Sequence, residues 1–297
     1  VVKHDQNLNI IDGKMLFFRK ISPFSEEIDK LKKARKSVGF VPTMGALHAG
    51  HISLAERARS ECEVVVTSIF VNPTQFNNPE DLKNYPRMPE QDKSMLEACG
   101  VDLLFSPDAD EIYGNDSRPP VEGFALGKIA EVMEGAHRPG HFAGVVQIVS
   151  RLFEIVRPDR AYFGEKDFQQ LAVIRYMTQA LKFPVEIIAC PTIREENGLA
   201  MSSRNLRLSP EGRVHAAVIY RSISQAAHRW KDHAPGELKN TMVREMESVP
   251  GLRVEYVELA DEDDLQPVLD WKSHRHVRCF AAVFCEGVRL IDNVRVF

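Results

Sequence analysis

The chain has 297 residues, 44% of them apolar and 27% charged, with a formal net charge of −4. This is far from the composition of a disordered chain, and it offers neither a nucleic acid nor an anionic membrane a broad basic surface. The length exceeds what one core usually fills, so a large and a smaller domain are expected, and five cysteines with no CxxC pair indicate free thiols in a reducing cytoplasm rather than disulfides or structural zinc.

Segment 1–14 is polar, contains Asp12-Gly13 and precedes Met15, where the pattern becomes regular, so it is set aside from the fold. No apolar run approaches the roughly 18 residues of a membrane span, and the start lacks a signal-peptide layout, so the protein is expected neither to cross a membrane nor to be exported. Over 38–183 short apolar runs alternate with helical patterns, which predicts βα units feeding a parallel sheet. The runs are 38–41, closed by Pro42, then 64–71, 101–105, 161–163 and 185–189. The second, rich in β-branched residues, reads as a strand buried on both faces. Val145, Ile148, Val149, Leu152, Phe153 and Val156 recur at helical spacing, as do Leu171, Ile174, Met177 and Leu181, and both helices should pack on the sheet. Pro191 and the polar stretch 194–198 mark a change of organisation. The expected fold is therefore α/β, a Rossmann-like doubly wound parallel sheet over 15–191, followed by a smaller α+β domain over 192–297. In the latter, helices over 210–233 and 235–248 precede strands over 252–259 and 278–288.

Chemistry concentrates in Pro42-Thr43-Met44-Gly45-Ala46-Leu47-His48-Ala49-Gly50-His51, directly after the first strand and opening a helix. In open α/β sheets ligands bind beyond the carboxyl ends of the strands, where glycines allow close approach and helix N-terminal amides attract phosphate. Neither GxGxxG nor GxxxxGK[ST] occurs. Two other readings stand beside a nucleotide site: the histidines could ligate zinc, although no HExxH pattern or acidic third ligand accompanies them, or they could simply pack.

His48-x-Gly50-His51 resembles the HIGH-type motif of nucleotidyl-transfer enzymes. Further blocks lie at 70–76, 81–87, 138–145, 157–159, 163–171 and 198–205. With 42–51 they resemble, in order, the pantoate–β-alanine ligases, also called pantothenate synthetases, from about Phe17 to the C-terminus. The resemblance implies ATP-dependent condensation of pantoate with β-alanine through a pantoyl adenylate, with Mg2+ accompanying ATP. It further implies a cytoplasmic homodimer and a mobile C-terminal lid. It assigns catalysis to His51, as proton donor, with His48, Lys166 and Arg204. ATP would be bound by Met44, Gly45, Ala46, Leu47, His48, Ala49, Gly50 and His51, by Gly164, Glu165, Lys166 and Asp167, and by Ile193, Met201, Ser202, Ser203 and Arg204. Gln75 and Gln170 would hold pantoate, Gln75 would also meet β-alanine, and Pro42, Met44 and Phe163 would pack on pantoate's methyl groups. Asn72 and Tyr85 would complete the substrate loop, and Arg138 would meet an anion. The family places acidic residues after the Tyr85-Pro86-Arg87 block, where Gln91-Asp92-Lys93 supplies only Asp92, so no metal ligand is assigned.

Physical chemistry supports the same residue types. Attack of a carboxylate on an α-phosphorus needs no protein nucleophile, so cations and hydrogen-bond donors aimed at the developing charge must supply the catalysis. An imidazolium near the phosphorus would neutralise charge, and neutral amides suit the hydroxyls of a polyol acid. Structural roles compete: Lys166 could pair with Glu165 or Asp167, and Ser202 or Ser203 could cap a turn. A different HIGH-motif adenylyltransferase or a nucleotide-binding regulatory module would also use the histidines. A tRNA-binding reading lacks a basic surface.

Overall fold

The computed structural model describes residues 8–11, 15–114, 124–272 and 274–297. Among them the strands are β1 (Leu8–Ile11), β2 (Met15–Phe18), β3 (Val38–Thr43), β4 (Val64–Ile69), β5 (Leu103–Phe105), β6 (Arg160–Gly164), β7 (Glu186–Cys190), β8 (Leu252–Asp261), β9 (Val277–Cys285) and β10 (Val288–Arg295). The helices are α1 (Ile21–Lys33), α2 (Ala49–Glu61), α3 (Pro79–Lys83), α4 (Pro89–Ala98), α5 (Ala109–Tyr113), α6 (Met133–His137), α7 (His141–Val156), α8 (Phe168–Ala180), α9 (Pro210–Arg229) and α10 (Pro235–Glu247).

The chain folds into two compact units. The first takes residues up to 125, 140–164 and 173–190; the second collects 126–139, 165–172 and 191–297. The first holds a seven-stranded sheet in the order β1-β2-β5-β4-β3-β6-β7. Strands β2 to β7 run parallel, as expected, and β1 joins the edge antiparallel to β2. Segment 1–14 was expected to stand apart from the fold, but its residues 8–11 are the edge strand, paired from Leu8 with Phe18 to Ile11 with Met15. Strand β2 adds a sixth parallel member to the five read from the sequence. At four residues it is too short to show a period.

β4 is buried along nearly its whole length, as its β-branched composition demands. β3 does not stop before Pro42. Its ladder to β4 continues through Pro42 and Thr43, whereas pairing with β6 runs only to Phe40. The two helices read from periodicity are α7 and α8. Leu181, expected to pack on the sheet, lies beyond the end of α8 and is 37% exposed.

The second unit is built on the antiparallel sheet β10-β9-β8. β10 was not anticipated. Charged and polar residues interrupt its apolar ones, yet half or more of its side chains are buried. Helices α9 and α10 contribute Ala216, Ile219, Ile223, Leu238, Met242 and Met246 to a core shared with Val257, Cys279, Ala281 and Val283. All five cysteines are free thiols. Among the described residues no helix is long and apolar enough to cross a membrane.

Candidate active site

In the first unit the carboxyl end of β3 turns through Gly45 and Ala46, both at positive φ, 78° and 49°, before α2 begins. Glycine suits position 45 on two counts, because a Cβ there would also lie 3.0 Å from Asp92 Oδ2 and 3.1 Å from Ile69 Cγ2. His48 is the N-cap of α2. Its Nδ1 accepts from the Gly50 amide at 3.1 Å, while its own amide donates to His51 Nδ1 at 3.3 Å. This is a capping box in which two imidazoles replace the usual hydroxyl and carboxylate. The ring centroids stand 4.1 Å apart. Because backbone amides donate to both Nδ1 atoms, each neutral ring in this cap carries its proton on Nε2.

The loop's amides are consumed internally. Gly45 donates to Thr43 Oγ1, Ala46 to Asp92 Oδ2 at 2.9 Å, Leu47 to Asp92 Oδ1 at 2.7 Å, and the His51 amide to the His48 carbonyl. The amides of Gly45, Ala46, Leu47 and His51 thus have partners within the protein. Asp92, carried by α4, is only 2% exposed. Burial pushes its carboxyl above the usual range, and the two amide hydrogen bonds pull in the opposite direction.

Next to this loop, Gln75 Nε2 lies 3.0 Å from Met44 Sδ, so these two expected substrate residues do meet. Asn72 is 1% exposed and acts as a brace. Its Nδ2 donates to the Gly144 carbonyl, and its Oδ1 accepts from the Tyr113 hydroxyl at 2.6 Å and from Thr74. His141 Nδ1 sits 2.8 Å from the Gln75 carbonyl. Gly144 lets α7 approach this turn, since a Cβ there would fall 2.6 Å from the Thr74 carbonyl oxygen. Tyr85 is buried edge-on to Phe76. Pro42 lies in β3, and Phe163 and Gly164 end the neighbouring strand β6.

The remaining expected residues fall in the second unit. Lys166 lies in a 3₁₀ turn, Glu165–Asp167, which opens two residues after Phe163. Its ammonium is 3.7 Å from Asp167, as the salt-bridge alternative allowed, and Glu165 faces Arg278 at 3.5 Å. The turn is held through its backbone: Asn293 Nδ2 on β10 donates to the carbonyls of Glu165 and Lys166 at 2.9 and 2.8 Å. Gln169 ties the first turn of α8 to segment 126–139, donating to the carbonyls of Ile129 and Val132 and accepting from the Glu134 amide. Gln170, the next residue, is half-buried.

Arg138 pairs with Glu134 at 3.3 Å, and Glu134 is held in turn by two 2.7 Å bonds from Arg289 and one from the Tyr256 hydroxyl. Burial alone would raise the Glu134 carboxyl, but Arg289 overrides it and holds the pKa down at about 2. Burial lowers the Arg138 pKa, Glu134 raises it, and Arg204 and Arg289 lower it again, so the three guanidinium groups share one electrostatic neighbourhood. Ser202 caps the 3₁₀ turn Ser203–Arg207 by accepting from the Arg204 amide, and Ser203 is buried. The Met201 amide donates to the Ile193 carbonyl, which brings those two expected ATP-binding residues together. Sequence reading missed Asn293, Glu134 and Arg289, none of which stands within a recognisable local pattern, and gave no role to Gln169 although it lies in the block 163–171.

The first unit thus sets a histidine-capped HxGH helix after β3 of a parallel α/β sheet. The family model for pantoate–β-alanine ligases matches residues 16–295. A pantothenate synthetase of Porphyromonas gingivalis is 48% identical over 281 residues, spanning 95% of this chain and 99% of that protein. One of Bacteroides fragilis is 49% identical over 275 residues, 93% and 96% of the two chains. The crystal structure of pantothenate synthetase from Thermus thermophilus matches with a TM-score of 0.85 at 43% identity, covering 95% and 99% of the two chains. Pantoate–β-alanine ligase from Francisella tularensis, complexed with β,γ-ATP and β-alanine, matches with a TM-score of 0.79 at 38% identity over 94% and 97%. The chain belongs to the pantoate–β-alanine ligase family.

Proposed function

We propose that the chain joins pantoate to β-alanine in two steps at the expense of ATP. A pantoate carboxylate oxygen attacks the α-phosphorus, and the bond to the β-phosphate oxygen breaks to release pyrophosphate. The amine of β-alanine then attacks the acyl carbon and AMP departs, the amine's surplus proton passing to solvent. The observation that carries this reading is the reciprocal cap of His48 and His51, which fixes two imidazoles at the start of α2 through their Nδ1 atoms. Fixed donors stabilise charge growing on phosphate oxygens without reorganising during the reaction. His51 takes the proton-donor role that the resemblance implies.

Lys166, Arg138 and Arg204 supply the positive charge, and the cap at Ser202 orders the segment that carries Arg204. Gln75 and Gln170 are the groups for the hydroxyls and carboxylate of pantoate, with Met44, Pro42 and Phe163 as apolar lining. Magnesium fits as an ion carried by the triphosphate, held by phosphate oxygens and water, where it would neutralise charge. Asp92 has both oxygens engaged by amides, and among the described residues no cluster of three His, Cys, Asp or Glu side chains is assembled for a metal. We assign the protein to the cytoplasm, which its free thiols support. We also assign it a homodimer, by family resemblance. A monomer mass in sedimentation at micromolar concentration would reject the dimer.

The reaction is tested by supplying ATP, magnesium, pantoate and β-alanine and measuring pantothenate, AMP and pyrophosphate, expected in equal amounts. Pyrophosphate release that ignores pantoate, or no AMP with all four components present, would overturn the proposal.

A further inference from the structure

We propose that Asp92 is the positioning residue of the histidine loop. By accepting the Ala46 and Leu47 amides together, it holds the left-handed turn that sets His48 at the helix cap and Met44 against Gln75. The inference deepens the adenylation reading and rests on it for its kinetic part.

Amides of consecutive residues that converge on one point make an anion-binding concavity of the kind that usually receives a phosphate. Here the anion is the protein's own carboxylate, 2.9 and 2.7 Å from the two nitrogens and 2% exposed. Ala46, with φ of 49°, occupies a conformation that is disfavoured for a residue with a Cβ relative to its right-handed alternative. The two hydrogen bonds to Asp92 offset that cost. Gly45 allows the carboxylate to approach, since a side chain there would touch Oδ2. With the concavity filled by the protein's own carboxylate, a triphosphate is kept off these two amides and left to the side chains of the loop. Asp92 thereby selects which face of the loop reads the nucleotide, although it need never touch it.

Amide hydrogen exchange on the wild-type protein, followed by NMR, tests the geometry without any assay. Protection at Ala46 and Leu47 before nucleotide is added, unchanged by Mg-ATP, is expected. Unprotected amides, or protection that appears only with Mg-ATP, would sink the idea. Asp92→Asn keeps one acceptor but turns an NH2 toward the other donor, so kcat/KM for ATP should fall roughly tenfold or more, as misplaced reacting groups lose rate. Ala46→Gly introduced into Asp92→Asn should recover about threefold or more, since glycine takes positive φ without strain. Wild-type kinetics in Asp92→Asn, or activity restored by raising magnesium tenfold, would overturn the proposal, the latter by making the carboxylate a metal ligand. If the wild-type protein makes no AMP, the adenylation reading fails while the exchange result still judges the loop.

Discussion

The loop bearing His48 and His51 and the turn bearing Lys166 are secured at different ranges along the chain. The amides of the loop are held by Thr43, by Asp92 and by the two histidines themselves, the furthest of these being 46 residues away. The lysine turn is bound by Asn293, 127 residues further on, and Arg138 answers to a glutamate that Arg289 grips from 155 residues away. The first region is organised by neutral amides and imidazoles, and the second by ion pairs with little access to water. The first also depends on the buried Asp92 carboxylate, but ion pairs dominate only the second, which should carry the electrostatic vulnerability of the molecule to salt.

The sharpest way to break this contrast is to remove Arg289. Arg289→Met leaves Glu134 buried without its main partner, a change that costs about 3–5 kcal/mol and should appear as a large drop in the denaturation midpoint of the second unit. A loss below about 1 kcal/mol would mean that the pair is no anchor.

Acid is the next probe. Glu134 has a pKa held down at about 2 against an ordinary 4.5. Its contribution is fully present above the ordinary value and disappears as pH falls toward the folded one. That amounts to about 3 kcal/mol, read from urea midpoints between pH 5 and 2. Glu134→Gln should flatten that part of the profile.

Catalysis follows. His51→Ala and Lys166→Ala should each slow pantoyl-adenylate formation by about 10²-fold or more, measured as pantoate-dependent pyrophosphate release. Near wild-type rates in either variant would remove that residue from the mechanism. The smallest effect separates range from charge. Asn293→Ala removes two bonds to the carbonyls of the lysine turn and should cost about 2 kcal/mol. Adenylation should fall with it while ATP-independent exchange at Ala46 and Leu47 stays unchanged.

The same difference in range explains what was legible in the sequence. The parallel sheet was visible because β4 is a continuous β-branched run and α7 a clean amphipathic repeat, both signals contained within a few residues. The histidine motif, Met44 and Gln75 were legible for that reason, and the structure brings Met44 and Gln75 together as expected. Asp92 was noticed only as a stray acid, because nothing in Gln91-Asp92-Lys93 shows that both its oxygens face amides of another segment. Strand β10 was missed because Arg289, Asp292 and Asn293 make it look like a polar tail. Those residues are polar because they reach Glu134, Arg194 and the lysine turn. Asn72, expected to complete the substrate loop, is also engaged by Gly144, Tyr113 and Thr74, partners that no spacing rule reveals.

The clasp of Asn293 on the backbone of Glu165 and Lys166 also bears on how the protein is made. A nascent chain can form the histidine cap and its bonds to Asp92 once α4 has been synthesised, but the lysine turn has no such mooring until translation has passed Asn293 in β10, 127 residues beyond Lys166. Chains interrupted shortly before that strand would carry the motif residues and still lack the clasp on the backbone of that turn.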